Sequence, residues 1–272
     1  MNFSLQAVGK HYVVDREVVA ALDGISLSLP KGEVLAVLGS SGAGKTTLFR
    51  LLNATMRPSS GSLRLDGREL GTMSSGELRR TRGRIGTIYQ KHNLVPSLTA
   101  LENTLCGCLG RWSFVQTIRS VLRPANADVQ EAMYALEQVE LADKRNARAD
   151  ELSGGQQQRL AIARVLMQKP EVILADEPVA SLDPALTEGI MSLLLRVGSE
   201  RQQTLVVSMH KVDLALEYFP RVIGLRSGSL FFDRSATRVD SELLDGLYAG
   251  TRKRLERIQD DERFQSQFGC LR

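Results

Sequence analysis

Eight consecutive residues carry the clearest chemistry in this sequence. Gly39-Ser40-Ser41-Gly42-Ala43-Gly44-Lys45-Thr46 fits the pattern G-x-x-x-x-G-K-[ST]. Its glycines let successive backbone N–H groups turn inward and form a nest for phosphate oxygens. A helix beginning at Lys45 adds the partial positive charge of its N-terminus. Lys45 brings a full charge to the β- and γ-phosphates, and the Thr46 hydroxyl can ligate Mg²⁺. The run from Gly39 through Thr47 is therefore a candidate phosphate cradle.

Such a cradle needs a second anchor for the metal at the end of a neighbouring strand. Val172-Ile173-Leu174-Ala175 reads as a buried strand, with Asp176 and Glu177 at its carboxyl end. Asp176 can hold the metal, and Glu177 can orient or deprotonate a water attacking the γ-phosphate. A second glycine motif, Ser153-Gly154-Gly155-Gln156, precedes the helical run Gln157–Leu166, in which Leu160, Ala163 and Leu166 share a face. Ser153 is a natural N-cap, and the two glycines leave the approach bare. One chain thus offers two anion-ready helix starts.

The elements that must position these groups alternate. Residues 3–30 read as strands, with Leu27 and Leu29 alternating against Ser26 and Ser28 before the turn Pro30-Lys31-Gly32. Val34–Leu38 is a short apolar run, as in a strand buried on both faces. A helix is expected over Lys45–Asn53, a strand over Ser62–Asp66, a polar helix over 74–82, and strands over Ile85–Tyr89 and Thr204–Ser208. Between Lys91 and Leu152 the periods are helical, and Val129, Met133, Leu136 and Val139 mark an apolar stripe. Strands alternating with helices predict an α/β architecture around a mainly parallel sheet.

Composition narrows the class. The 272 residues carry 43% hydrophobic and 24% charged side chains, which fits a globular chain able to bury its own core. The net charge of +4 is too small to imply nucleic acid. No apolar run approaches the roughly 20 residues of a spanning helix, and the opening Met1-Asn2-Phe3-Ser4 does not read as a secretory leader. Cys106, Cys108 and Cys270 are too few and oddly numbered for a disulfide framework, which suits a reducing compartment. The tail 251–272 is charged and reads as a solvated helix or frayed end.

Together the motifs resemble the ATP-binding cassette (ABC) ATPases over residues 1–250. The resemblance implies an ABC cassette of the P-loop NTPase fold. It would have a mixed, mainly parallel sheet, an N-terminal antiparallel β subdomain, and an inserted α-helical lobe of about 91–155 between core segments 1–90 and 156–250. It implies that Ser153, Gly154, Gly155 and Gln156 face the cradle of a second subunit, so that two ATP molecules lie between head-to-tail partners. Gln90 resembles the glutamine that senses Mg²⁺ and the γ-phosphate and contacts a membrane partner. That makes Thr46, Gln90 and Asp176 the implied metal ligands. Ser181-Leu182-Asp183 resembles a loop communicating between the two sites; Asp183 alone reads as a helix cap before Pro184. His210 resembles the histidine that holds the γ-phosphate and attacking water, completing a catalytic set with Glu177 and Gln90. Tyr12 resembles the aromatic that stacks on adenine. His11 and His92 match nothing in the pattern.

Within that family the likeness is to the phosphonate-importer ATPases. It rests on Ile85–Gln90, Asn93-Leu94-Val95, Leu98-Thr99, Leu101-Glu102-Asn103, Leu109-Gly110-Arg111 and Leu174–Pro184. Ser40 stands where proline is common, Tyr89 where phenylalanine is, and Ser208-Met209 is an unusual pair before the histidine. The resemblance implies a peripheral ATPase on the cytoplasmic face of a bacterial inner membrane, with permease chains, indirectly a solute-binding protein, and no nucleic-acid partner. Alternatives are a cassette for another solute or for lipoprotein release, and a soluble ABC ATPase of DNA repair or translation. The soluble class usually adds a second cassette, a long coiled coil or zinc cysteines, which this sequence does not show. A P-loop kinase or GTPase lacks the Ser-Gly-Gly-Gln motif and the second carboxylate.

Overall fold

The computed structural model describes residues 1–14, 17–110, 112, 124–180, 182–200 and 202–249. Arg111, Ser181 and the tail 251–272 lie outside the described residues. β1 (Phe3–Val14), β2 (Glu17–Leu29), β4 (Ser60–Leu65) and β5 (Arg68–Glu69) form an antiparallel sheet in the order β2-β1-β4-β5. Leu27 and Leu29 are buried while Ser26 and Ser28 are exposed, as the alternation predicts. The β4–β5 turn at Asp66-Gly67 has both φ angles positive (48° and 78°), the geometry that matches strand twist in a two-residue hairpin.

The second sheet runs β10 (Ser229–Ser235), β9 (Arg221–Arg226), β3 (Val34–Leu38), β8 (Thr204–Ser208), β7 (Val172–Asp176), β6 (Ile85–Ile88). Every pairing from β9 to β6 is parallel; β10 returns antiparallel on β9. Successive residues of these strands enter different cores. Leu35 and Val37 join Val172, Leu174 and Val206 beneath the antiparallel sheet, whereas Ala36 and Leu38 join Ile173, Ala175, Leu205 and Val207 on the opposite face. Burial on both faces explains why β3, β7 and β8 read as unbroken apolar runs. β9 and β10 were not among the expected strands, although Val222-Ile223-Gly224-Leu225 and the turn Ser227-Gly228 carry the same signals.

The helices are α1 (Lys45–Leu52), α2 (Ser75–Gly83), α3 (Ala100–Leu105), α4 (Asn126–Gln138), α5 (Gly154–Gln168), α6 (Pro184–Glu200), α7 (Val212–Tyr218) and α8 over residues 241–249. Asn53 caps α1 rather than extending it. The expected stripe on α4 is rotated. Ala132, Ala135 and Leu136 are buried, with Val139 just beyond the helix, while Val129 and Met133 are only partly covered. Small alanines let α4 lie close against α3 and α5, so the closest face is set by size and not by hydrophobicity alone.

Arg84 fixes the ends of β6 and β7 remote from the phosphate loop. Its backbone carbonyl accepts from the N–H groups of Glu171 (2.8 Å) and Val172 (3.3 Å). Its guanidinium donates to both Glu171 carboxylate oxygens at 2.6 and 2.8 Å, and to Asp66 at 2.7 Å. The bidentate pair holds the Glu171 carboxyl below its ordinary value of 4.5. Stabilisation from this pair is complete above that ordinary value and is lost as pH falls through the lowered folded value. Glu171 is 43% exposed, so screening limits the effect to at most about 1 kcal/mol. Urea unfolding of Glu171→Gln should show a deficit of that order at neutral pH that narrows progressively below pH 4.5. A deficit independent of pH would show that the ion pair contributes nothing.

Candidate functional site

The phosphate loop leaves the carboxyl end of β3 and enters α1 at Gly44, whose φ is 104°. A Cβ on Gly44 would lie 2.7 Å from the Ala21 carbonyl oxygen and 2.8 Å from Leu22 Cδ2. Only glycine permits both that backbone angle and the close seat of β2 on the loop. Lys45 is 5% exposed, and its ammonium donates to the carbonyls of Gly39 (2.8 Å) and Ser40 (3.2 Å). Burial lowers its pKa, while the Glu177 and Asp176 carboxylates act in the opposite sense. The cation is thus aimed across the loop mouth, toward where phosphate charge would sit.

Three further parallel strands deliver the remaining groups. Asp176 ends β7 in register with Ser208 at the end of β8. One Asp176 oxygen accepts from the Thr46 hydroxyl at 3.2 Å and the other from Ser208 Oγ at 2.5 Å. Glu177 has φ 52°, uncommon for a non-glycine residue, and its N–H donates to the Ser208 carbonyl and hydroxyl oxygens, both at 3.1 Å. That turn directs its side chain away from the Asp176 side. Glu177 Oε1 lies 2.6 Å from His210 Nε2, beyond β8, and Oε2 accepts from the Gln90 amide at 3.2 Å, beyond β6. Both carboxylate oxygens are therefore held.

Ser40 through Thr47 share one cavity of about 400 Å³ with Gln90, Glu177 and His210. An adjoining cavity of about 270 Å³ shares Thr46 and Gln90 with it and is lined by Asp176. The site thus has a phosphate wall, a carboxylate pair and a side opening. Tyr12 does not line either cavity. It sits on β1 opposite Val19, and its hydroxyl donates to Met56 Sδ at 3.2 Å.

The second glycine motif also stands apart from this chain's own phosphate loop. Ser153 caps α5, accepting from the Gln156 N–H at 3.3 Å, while Gln156 Oε1 accepts from the Ser153 N–H at 2.9 Å. A Cβ on Gly155 would lie 3.2 Å from Leu182 Cδ2, which seats the motif on the loop after β7. One on Gly154 would meet nothing within 4 Å, and Gly154 has no positive φ. Asp183 caps α6, its carboxylate accepting from the Leu186 N–H at 2.9 Å. Neither the motif nor Asp183 lines the phosphate cavity.

Sequence reasoning missed Ala21, Ser208 and Arg164. Ala21 lines the phosphate cavity from β2, Ser208 bridges Asp176 and Glu177, and Arg164 holds the segment after Gln90. Only Ser208 left a trace in the sequence, as part of the unusual pair before His210.

The ABC transporter family model matches residues 22–180. A phosphonates import ATP-binding protein of Rhodopseudomonas palustris (strain BisB18) is 44% identical over 90% of this chain and 88% of its own length. One from Pseudomonas aeruginosa (strain UCBPP-PA14) is 44% identical over 94% of each chain. The dimeric ATP-binding cassette MJ0796 bound to ADP and Pi superposes with a TM-score of 0.78 and 32% identity, covering 86% of this chain and 98% of that one. Four adjacent parallel strands converging on a phosphate loop and these similarities lead to the same conclusion: the chain belongs to the ABC transporter family, as an ATP-binding cassette whose ATPase activity is coupled to transport.

Proposed function

We propose that the chain hydrolyses Mg²⁺-ATP as a head-to-tail homodimer and drives import of phosphonates or related phosphorus oxyanions through separate permease chains. The observation that carries the hydrolytic part is the Glu177 carboxylate held between His210 and Gln90 on the rim of the phosphate cavity. Thr46, Asp176 and Gln90 offer hard oxygen donors on the two adjoining cavities, a donor set that suits Mg²⁺. When bound, the ion offsets phosphate charge. The loop N–H groups from Ser40 to Thr47 and Lys45 bind and orient the phosphates. Glu177 takes the proton of the attacking water, and His210 and Gln90 keep its carboxylate turned to that water. Ser208 fixes the backbone and side chain of the carboxylate pair from behind.

Tyr12 is assigned to the adenine. In the β1–β2 pairing it lies across from Val19, two residues along β2 from Ala21 at the cavity wall. Ser153, Gly154, Gly155, Gln156 and Asp183 are assigned to a partner's nucleotide. Gly154 supports this assignment, because neither backbone angle nor packing within the chain calls for a glycine there. A dimeric arrangement is also recorded for the MJ0796 cassette.

Among the described residues no helix is long and apolar enough to cross a membrane, and we assign the chain a peripheral position against permease chains, a reading supported by its likeness to import ATP-binding proteins. We assign permease docking to a cavity of about 570 Å³ between the β6 side of the core and the helical lobe of about 91–155. Tyr89, Val95, Leu109 and Gly110 help line it. It adjoins Gln90, so nucleotide state and permease contact would share one segment. Likeness to the phosphonate-import relatives supports the importer class, and with it we assign the cytoplasmic face of a bacterial inner membrane and, indirectly, a solute-binding protein.

Three measurements follow. Glu177→Gln with ATP should elute as a dimer on sizing, and adding Ser153→Arg should make it monomeric; an equally dimeric double variant places the motif away from the interface. Ser208→Ala should bind ATP within a few-fold of the native chain and hydrolyse it about 10-fold more slowly, because a bond fixing the carboxylates is lost. In the reconstituted transporter, phosphonate- or phosphite-loaded binding protein should stimulate ATP hydrolysis, and Gln90→Ala should reduce that stimulation. Stimulation by amino acids or metal chelates alone would leave the importer class standing and remove the solute assignment.

A further inference from the structure

The segment after Gln90 does not hold itself. His92 and Asn93 are consecutive residues at φ 57° and 50°, in the left-handed region that L side chains disfavour. Both of their carbonyls accept from a single side chain. Arg164 donates through Nη1 to Asn93 O at 2.6 Å and through Nη2 to His92 O at 2.9 Å. None of the ion pairs among the described residues includes Arg164; its largely buried guanidinium is committed to these two carbonyls. The His92 ring lies against Gln157 and Gln158, on the same helix as Arg164.

That helix is α5, which opens on the Ser153 motif. Arg164 is ten residues beyond Gly154, about 15 Å along a rigid rod. Gln90, three residues before Asn93, bonds the Glu177 carboxylate at the other end of the segment. We propose that Arg164 is a positioning residue: it locks the Gln90 segment to α5, so a shift of Gln90 at one nucleotide becomes a shift of the Ser153 motif at the other. This rests on the head-to-tail dimer proposed above. The planar fork of arginine suits two adjacent carbonyls, and the single ammonium of lysine does not reproduce it.

The test uses the full chain and three variants: Arg164→Met, Arg164→Lys, and Arg164→Met combined with His92→Gly and Asn93→Gly. Equilibrium ATP binding, the ATP dependence of turnover and the melting temperature are measured for each. Arg164→Met should keep ATP affinity within about threefold, while turnover falls about tenfold and the Hill coefficient falls toward 1, as expected when coupling between sites is lost. Arg164→Lys keeps the charge and stem and should lose cooperativity likewise. The two glycines adopt the left-handed conformation without steric cost but restore no bond to α5, so the triple variant should stay slow and non-cooperative. A lowered melting temperature with cooperativity intact, or cooperativity restored by the glycines alone, would reduce Arg164 to packing or strain relief and overturn the proposal. If the native Arg164 chain in the Glu177→Gln background stays monomeric with ATP, the dimer reading fails and this coupling with it. If it dimerises while Arg164→Met keeps full cooperativity, the coupling alone fails.

Discussion

The register of β7 against β8 is the constraint on which the site depends. Asp176 lies beside Ser208 at the carboxyl ends of two parallel strands. That pairing lets one serine hydroxyl hold the Asp176 carboxylate while the same residue's backbone and side-chain oxygens hold the next N–H, that of Glu177. A slip of one residue would send Asp176 and Ser208 to opposite faces of the sheet. β3 on one side of β8 supplies Lys45 and Thr46, and β6 beyond β7 supplies Gln90. A ligand crevice beyond the carboxyl ends of the strands is the general consequence of a parallel sheet whose loops emerge together. Arg84, at the far ends of β6 and β7, resists the same slip from the other edge.

Three left-handed backbones lie where this geometry is read out. Glu177, His92 and Asn93 all have left-handed backbones, and each has its neighbouring backbone groups tied by bonds from another element. Such conformations persist only when surrounding structure fixes them. Ser208 does this for Glu177, and Arg164 for the segment after Gln90. The carboxylate pair is thereby separated: Asp176 faces Thr46, and Glu177 turns to Gln90 and His210. Two adjacent acids thus take different partners without a change in the strand that carries them.

What was legible in the sequence was local. Gly39 to Thr46 declares its chemistry in eight residues, because the nest, the lysine and the helix start are contiguous. The strand before Asp176 is legible because burial on both faces leaves an unbroken apolar run. Ser153 and Asp183 were readable as caps from their immediate neighbours, and the structure places both as caps. Ser208 and Arg164 were not legible, since their partners lie 32 and 71 positions away and are brought near only by strand order and helix packing. Leu136 and Val139 of the expected stripe are buried, but Ala132 and Ala135 were missed because alanines that permit close approach weigh less in a hydrophobic pattern than the larger Val129 and Met133. The position of Tyr12 relative to the cavity depends on the irregular β1–β2 pairing, which residue types do not display.

In the proposed mechanism Glu177, held by His210 and Gln90, performs the proton transfer of hydrolysis, and Lys45 serves phosphate binding. Single-turnover hydrolysis measured beside equilibrium ATP binding separates the two roles most directly. Glu177→Gln preserves shape and removes the base, so ATP should bind within a few-fold of the native chain while the hydrolysis rate falls about 10²-fold or more. Lys45→Ala should instead weaken binding itself. Hydrolysis by Glu177→Gln at close to the native rate, with ATP bound normally, would remove Glu177 from the proton transfer and require another group to accept the proton.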